Sequence, residues 1–330
     1  MASGLTVSSL LPFFLLFLLS STPLPISAAQ CNQDDQKALL AIKAAFNNAY
    51  HFASWKTSSA CCDWYGVDCD STGRVAGLSI FQDDNLTGTI PPAIADLPYL
   101  NNLLLSQLPK LSGPIPSFLA GLKNIQLFRI MNTAVFGPVP AFLSTLTIID
   151  LSHNQLTGAI LANLPNLQAL HLDHNRLSGA IPASFGSFSR DSQPDLYLSH
   201  NSLTGTIPAS LSGPNWGIIN LSWNQIAGDA SFLFGSSKPA TQIDLSRNML
   251  SFDLTDVSFP TKLTLLDLSH NKIYGGIPAQ INQVAGLVQL GLSYNRLCGE
   301  IPAGVVTAKF GQSSYTNNKC LCGAPLAACK

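Results

Sequence analysis

Asp150, Ser152 and His153 bring together, within four residues, an acid, a hydroxyl and an imidazole, the side-chain types of nucleophilic catalysis. The same Asp-Leu-Ser-His recurs at residues 267–270. A catalytic triad does not normally appear twice in a tandem repeat, and neighbours on one strand lack the geometry of base and nucleophile. Asp244 and Asp267 form a second combination. In adjacent strands their carboxyl groups would stand roughly 5 Å apart, near the separation used by retaining glycosidases. Nothing in the sequence marks a cleft that would seat a sugar between them. The expectation is a protein that is not an enzyme and has no catalytic residues.

The eight cysteines carry the other reactive groups. They fall in two end clusters, Cys31, Cys61, Cys62 and Cys69, then Cys298, Cys320, Cys322 and Cys329. No cluster has paired CxxC spacing and no histidine accompanies either, so a metal centre is not expected there. An even count in an exported chain reads as disulfides. Each cluster of four allows three pairings, and bridging the adjacent Cys61 and Cys62 to each other would strain the backbone. Export is expected because residues 1–29 read as a secretory signal peptide. Their apolar run from Leu10 to Leu19 is too short to span a bilayer, and Ser27-Ala28-Ala29 supplies small residues for cleavage.

The elements that must position these groups repeat. Asn occurs at 154, 175, 201, 224, 248, 271 and 295, with spacings of 21, 26, 23, 24, 23 and 24. Each follows an apolar-x-apolar triplet, such as Leu170/Leu172 or Leu266/Leu268. Three earlier triplets, Leu78/Ile80, Leu103/Leu105 and Phe128/Ile130, lack the Asn, giving ten units. This is the leucine-rich-repeat signature. Each triplet predicts a short strand, paired in parallel with the next, and the Asn predicts a turn whose amide bonds backbone groups. The units ending at Asn154 and Asn175 are three residues short. Asn32 predicts a helix cap, with Leu39, Ile42 and Phe46 on one apolar face.

The expected fold is an α/β solenoid, a right-handed leucine-rich-repeat superhelix with a parallel concave sheet and disulfide-stapled caps. Its expected divisions are a signal peptide at 1–29, an N-terminal cap at 30–73, repeats at 74–297 and a C-terminal cap at 298–330. With 46% apolar residues the chain has ample core. Seventeen Lys and Arg balance eighteen Asp and Glu, which leaves no electrostatic footprint for nucleic acid or an anionic membrane.

The chain resembles the plant polygalacturonase-inhibiting proteins over essentially its whole length. The repeat Leu-x-Gly-x-Ile-Pro, as in Leu177, Gly179, Ile181 and Pro182, is shared with receptor-kinase ectodomains. More specific are residues 228–235 (GDASFLFG), 271–275 (NKIYG) and 318–326 (NKCLCGAPL). The resemblance implies the pairs Cys31–Cys61, Cys62–Cys69, Cys298–Cys320 and Cys322–Cys329. It also implies a secreted, cell-wall protein that binds fungal polygalacturonases through its concave face, obstructs the substrate cleft and needs no cofactor. Cell-wall pectin is a further candidate partner.

Within each triplet the middle residue, the residue after the second apolar position and the one beyond it are expected to face solvent. The third column reads Gln82, Gln107, Asn132, His153, His174, His200, Trp223, Arg247, His270 and Tyr294. Five of the six histidines lie on this face. A run of His, Tyr, Trp and Arg is not needed to hold a solenoid, and a wide face of polar aromatics suits a binding surface. The candidate contacts are Asp150, His171, Asp173, His174, Tyr197, His200, Trp223, Asp244, Arg247, Asp267 and His270. Asn85 and Asn220 are in N-glycosylation sequons, with Asn220 expected to be the less occupied because a glycan there would cover the face. Two rival readings are a recognition or developmental module for an endogenous peptide, receptor or pectin fragment, and an ice-binding protein. Ice binding favours a flat, regular row of Thr or Asn, which this mixed face does not offer.

Overall fold

The computed structural model describes residues 31–164, 167–188 and 193–330. The expected leader at 1–29 lies outside them. Among the described residues the main sheet has fourteen strands. One antiparallel strand, Val67–Cys69, opens it. Parallel strands then follow in chain order from Val75–Phe81 to Gln289–Gly291. The fold is the expected leucine-rich-repeat solenoid. No helix among the described residues is long and apolar enough to cross a membrane.

The repeat builds its own core. The two apolar residues of each triplet point inward and are almost wholly buried, as at Leu103/Leu105, Leu170/Leu172 and Leu266/Leu268. No single unit can cover such a face, so stacking is what buries it. The Asn after each triplet closes the turn. The Asn175 amide donates to Leu151 O at 2.8 Å and Leu172 O at 3.1 Å. Its Oδ1 accepts from Leu156 N at 2.9 Å, in the preceding unit. Asn248 and Asn271 repeat the pattern. Each buried amide thereby satisfies backbone groups that the bend would strand.

Where the Asn is missing, the strand does not break in the same way. Leu108 and Thr133 occupy its place in the second and third units. There the strands run on as Asn102–Pro114 and Leu127–Pro138, from the main sheet onto the flank. Units with Asn have three-residue strands such as Ile148–Asp150 followed by a turn. The first three-residue shortfall falls outside the strands. Ser117–Gly121 is joined to the next strand by residues 122–126, whereas Ala141–Thr145 is joined by residues 146–147 alone. The register of the sheet is therefore kept, with Ile149 opposite Leu170.

Both ends are covered. Asn32 caps the helix Gln33–Ala45 by accepting from the N–H groups of Asp34 and Asp35. The helix buries Ala38, Leu39 and Ile42, and Phe46 follows just beyond it. Asp35 is fully buried and accepts from Arg74 Nε at 2.9 Å, Arg74 Nη2 at 2.7 Å and Val75 N at 2.8 Å, tying the cap to the first long strand. The disulfides join Cys31 to Cys61, Cys62 to Cys69, Cys298 to Cys320 and Cys322 to Cys329. At the other end the ladder runs one step past the tenth triplet. Asn318 donates to Leu292 O at 3.0 Å and Tyr315 O at 2.8 Å, and accepts from Leu297 N at 3.0 Å.

Candidate functional site

The open face of the sheet is organised by a backbone feature. Every described member of the third column, from Gln82 to Tyr294, is in the left-handed region, with φ between 52° and 56°. For ordinary side chains that conformation costs about 1–2 kcal/mol per residue. The ladder holds it in place. His174 N donates to Ser199 O at 2.9 Å, Trp223 N to Ser246 O at 3.0 Å and Arg247 N to Ser269 O at 2.9 Å. Backbone pairing thus continues through the turn, and each side chain is turned onto the open face at strand spacing.

At that spacing flat groups stack. His153 lies on His174 with ring centroids 4.0 Å apart and 13° between planes. His174 lies on His200 at 4.2 Å, and His200 on Trp223 at 4.9 Å. Arg247 continues the series with its guanidinium carbon 4.1 Å from the Trp223 ring centroid. Further along, His270 stacks on Tyr294 at 4.1 Å. Trp223 and Tyr294 are 47% and 50% exposed, large areas of aromatic surface for solvent to cover. Tyr294 was not singled out from the sequence, where it is one aromatic residue among seven tyrosines; its partner His270 is what makes it part of the face.

The middle column is more embedded. Asp150 is 9% exposed, and its Oδ1 accepts from Ser152 N at 3.0 Å and Ser152 Oγ at 2.6 Å. Its Oδ2 lies 3.7 Å from His171 Nδ1. Burial works to raise the Asp150 pKa, but the facing His171 imidazole and the Ser152 bonds outweigh it, so the carboxyl titrates below its ordinary value. His171 is the counterpart. Burial lowers its pKa, and Asp150 with the other nearby carboxylates raises it further than burial lowers it. Tyr197 meets His171 edge-on at 4.5 Å.

Asp244 and Asp267 face each other across adjacent strands in register. Each turns Oδ1 onto a backbone N–H just beyond its own strand, at Ser246 and Ser269, both at 2.9 Å. Burial, with the Asp267 charge adding to it, pushes Asp244 up against those bonds. His200 and His270 are lowered, by burial first, then by His174 for His200 and Arg247 for His270.

One expectation is corrected. The second column was expected to face solvent, yet Ser152, Ser199, Ser222, Ser246, Ser269 and Ser293 are buried at 3–9% exposure. The left-handed residue that follows each serine folds the chain back over it. The Asp-Ser-His run accordingly makes no triad: Ser152 gives its hydroxyl to Asp150, while His153 Nε2 lies 3.8 Å from Asp173 Oδ2. The sequon residues differ too. Asn85 is exposed in a turn. Asn220 is half-buried, with Oδ1 accepting from Ser222 N and Ser222 Oγ at 3.1 and 2.8 Å.

At the N-terminal end of the repeats a cleft of about 740 Å³ lies between the cap and the first unit, with the sequon residue Asn85 in its lining. Tyr50, His51, Tyr65 and Asp83 line it, and the His51 and Tyr65 rings meet edge-on at 5.4 Å. It is separate from the stacked column beyond Gln82.

Residues 32–70 match the leucine rich repeat N-terminal domain, and residues 145–167, 166–188, 195–214 and 262–284 match the leucine rich repeat. A polygalacturonase inhibitor of Pyrus communis is 50% identical over 333 residues, covering 99% of each chain. One of Vitis vinifera is 48% identical and covers 96% of each. Among solved structures, a plant ice-binding protein is 44% identical with a TM-score of 0.88, covering 91% of this chain and 99% of its own.

Proposed function

The chain belongs to the polygalacturonase inhibitor family of leucine-rich-repeat proteins, and from that premise we propose that it is secreted and inhibits fungal polygalacturonases in the plant cell wall. Its relatives are inhibitors and other leucine-rich-repeat proteins, not enzymes. The open sheet face docks on the enzyme and obstructs the cleft that receives pectin. The observation that carries this reading is the continuous stack from His153 to Arg247, an exposed and rigid aromatic surface held by the ladder. Preformed aromatic and Arg anchors bind with little ordering cost.

Charge supports the same reading. With histidines neutral, Asp150, Asp173, Asp195, Asp244 and Asp267 outnumber Arg129 and Arg247 on or beside this face. An enzyme that binds a polyanion carries basic groups around its cleft, and an acidic face complements them. Cell-wall pectin, itself acidic, fits this face less well than the enzyme does. Asn85, exposed in a turn, is the sequon that carries a glycan, since a glycan on Asn220 would stand on the open face.

Ice binding is the second reading, favoured by the likeness to the plant ice-binding protein. A lattice is matched by a flat row of like short side chains, whereas this column mixes Gln, Asn, His, Trp, Arg and Tyr. The deciding assay measures sugar release from polygalacturonic acid by a panel of fungal polygalacturonases with increasing protein. Saturable inhibition of at least one enzyme is expected. No inhibition across the panel, with ice-growth hysteresis in the same preparation, would replace this reading with the second.

A further inference from the structure

His153, Asp173 and His174 converge on the open face in a way that the solenoid does not require. Seven other units carry Ser at the position of Asp173, namely 106, 152, 199, 222, 246, 269 and 293, so the carboxylate departs from the repeat. Asp173 Oδ2 lies 3.0 Å from His174 Nδ1 and 3.8 Å from His153 Nε2. One donor atom from each of the three residues lies within 4.8 Å of the other two. Their side chains are 45%, 15% and 40% exposed for His153, Asp173 and His174, so solvent ions reach them.

We propose that His153, Asp173 and His174 form a binding site for a divalent transition-metal ion of the zinc and copper class. Metal–ligand bonds of about 2.0–2.2 Å place neighbouring donors about 3–3.5 Å apart. The Asp173–His174 pair is already at that separation, and His153 reaches it by a small rotation of its ring. Two imidazoles with one carboxylate select zinc, copper or nickel over calcium and magnesium, which take oxygen donors.

The backbone prepares the site. His153 N donates to Asp173 O at 2.9 Å, which fixes one turn against the other, and both histidines share φ of 54°. Three protein donors leave coordination positions open toward solvent, for water or for a donor on a docked molecule. The His171–Asp150 pair lies on neighbouring strands and does not enter the cluster. No sequence motif marks the site, because the ligands come from two turns twenty residues apart. The proposal goes beyond enzyme inhibition and does not depend on it.

The test uses the tag-free, metal-stripped mature protein at pH 7.5. Zinc chloride is titrated by calorimetry, and copper(II) binding is followed by electron paramagnetic resonance. One ion per chain is expected, with hyperfine splitting from two nitrogen ligands on copper. His153→Gln, Asp173→Asn and His174→Gln should each weaken binding about tenfold or more, while His51→Gln, away from the face, leaves it unchanged. Circular dichroism of each variant checks that the fold is retained. No saturable uptake, uptake undiminished in those three variants, equal loss in His51→Gln, or a single-nitrogen spectrum would overturn the site.

Discussion

Arg247 lies over the Trp223 ring, 4.1 Å from its centroid, although the two residues are in different repeats and 24 positions apart. The contact exists because both backbones are held left-handed by the same ladder. Stacking of a guanidinium on an exposed indole contributes about 0.5–1 kcal/mol. It also shields one ring face. Trp55, Trp64 and Trp216 are 1–3% exposed, so the acrylamide-accessible fluorescence reports Trp223. Arg247→Ala should increase acrylamide quenching and leave the melting temperature nearly unchanged. Unchanged quenching would mean that the stack does not persist in solution.

The His171–Asp150 pair makes stability depend on pH. His171 has a raised pKa, so its contribution is full below the ordinary imidazole value of about 6.5 and is lost as pH rises through the raised one. Asp150 has a lowered pKa, so its contribution is full above about 3.8 and is lost as pH falls through the lowered value. Both are present together between about pH 4 and 6.5. His171→Gln should therefore cost more at pH 5 than at pH 8.5. The difference stays within about 1 kcal/mol, because the imidazole is one-third exposed and partly screened. Urea denaturation at the two pH values measures it, and a larger loss at pH 8.5 would contradict the pairing.

Asn175 satisfies four backbone groups in two units. Asn175→Ala strands Leu156 N, at a cost of about 1–3 kcal/mol, and takes one of two donors from Leu151 O, Leu172 O and Asp173 O, which keep Asn154, Asn201 and His153 N. A drop in melting temperature well beyond that of a surface substitution such as Lys123→Ala is expected. Equal behaviour of the two variants would show that the amide ladder contributes little.

The core and the sheet were legible because they are periodic. Leu-x-Leu followed by Asn fixes which residues point inward, and the cap helix announced itself through Asn32 and its apolar face. The left-handed column was not legible, since Trp223, Arg247 and Tyr294 carry none of the Gly or Asn signals of such a turn. The conformation is imposed by pairing with the next unit, a non-local cause. The same turn explains why the serine column is buried although strand alternation points it outward. Asn318 was hidden for a different reason. It follows no apolar triplet of the repeat type, and only the stacked ladder reveals that it repeats the Asn295 contacts.

The caps should fail before the centre. Cys31–Cys61 and Cys298–Cys320 close loops with sequence separations of 30 and 22, against 7 for each of the other pairs. A disulfide typically contributes about 2–4 kcal/mol, more for longer loops. Excess reductant should lower the melting temperature and increase amide exchange first at Gln289–Gly291 and in the cap helix, with Ile218–Asn220 protected longest. An unchanged melting temperature would contradict the assignment of the cysteines as end staples.

The central claim is that the open sheet face holds a polygalacturonase. Its most direct test is the dissociation constant of an inhibited fungal enzyme for the unaltered chain, Trp223→Ala, Tyr197→Ala and Lys123→Ala. Trp223 and Tyr197 stand on that face, and Lys123 lies in the segment joining two strands. The account predicts losses of about 1 kcal/mol or more for each aromatic substitution, with the fold intact and Lys123→Ala neutral. Unchanged binding in both aromatic variants, with binding lost in Lys123→Ala, would contradict it.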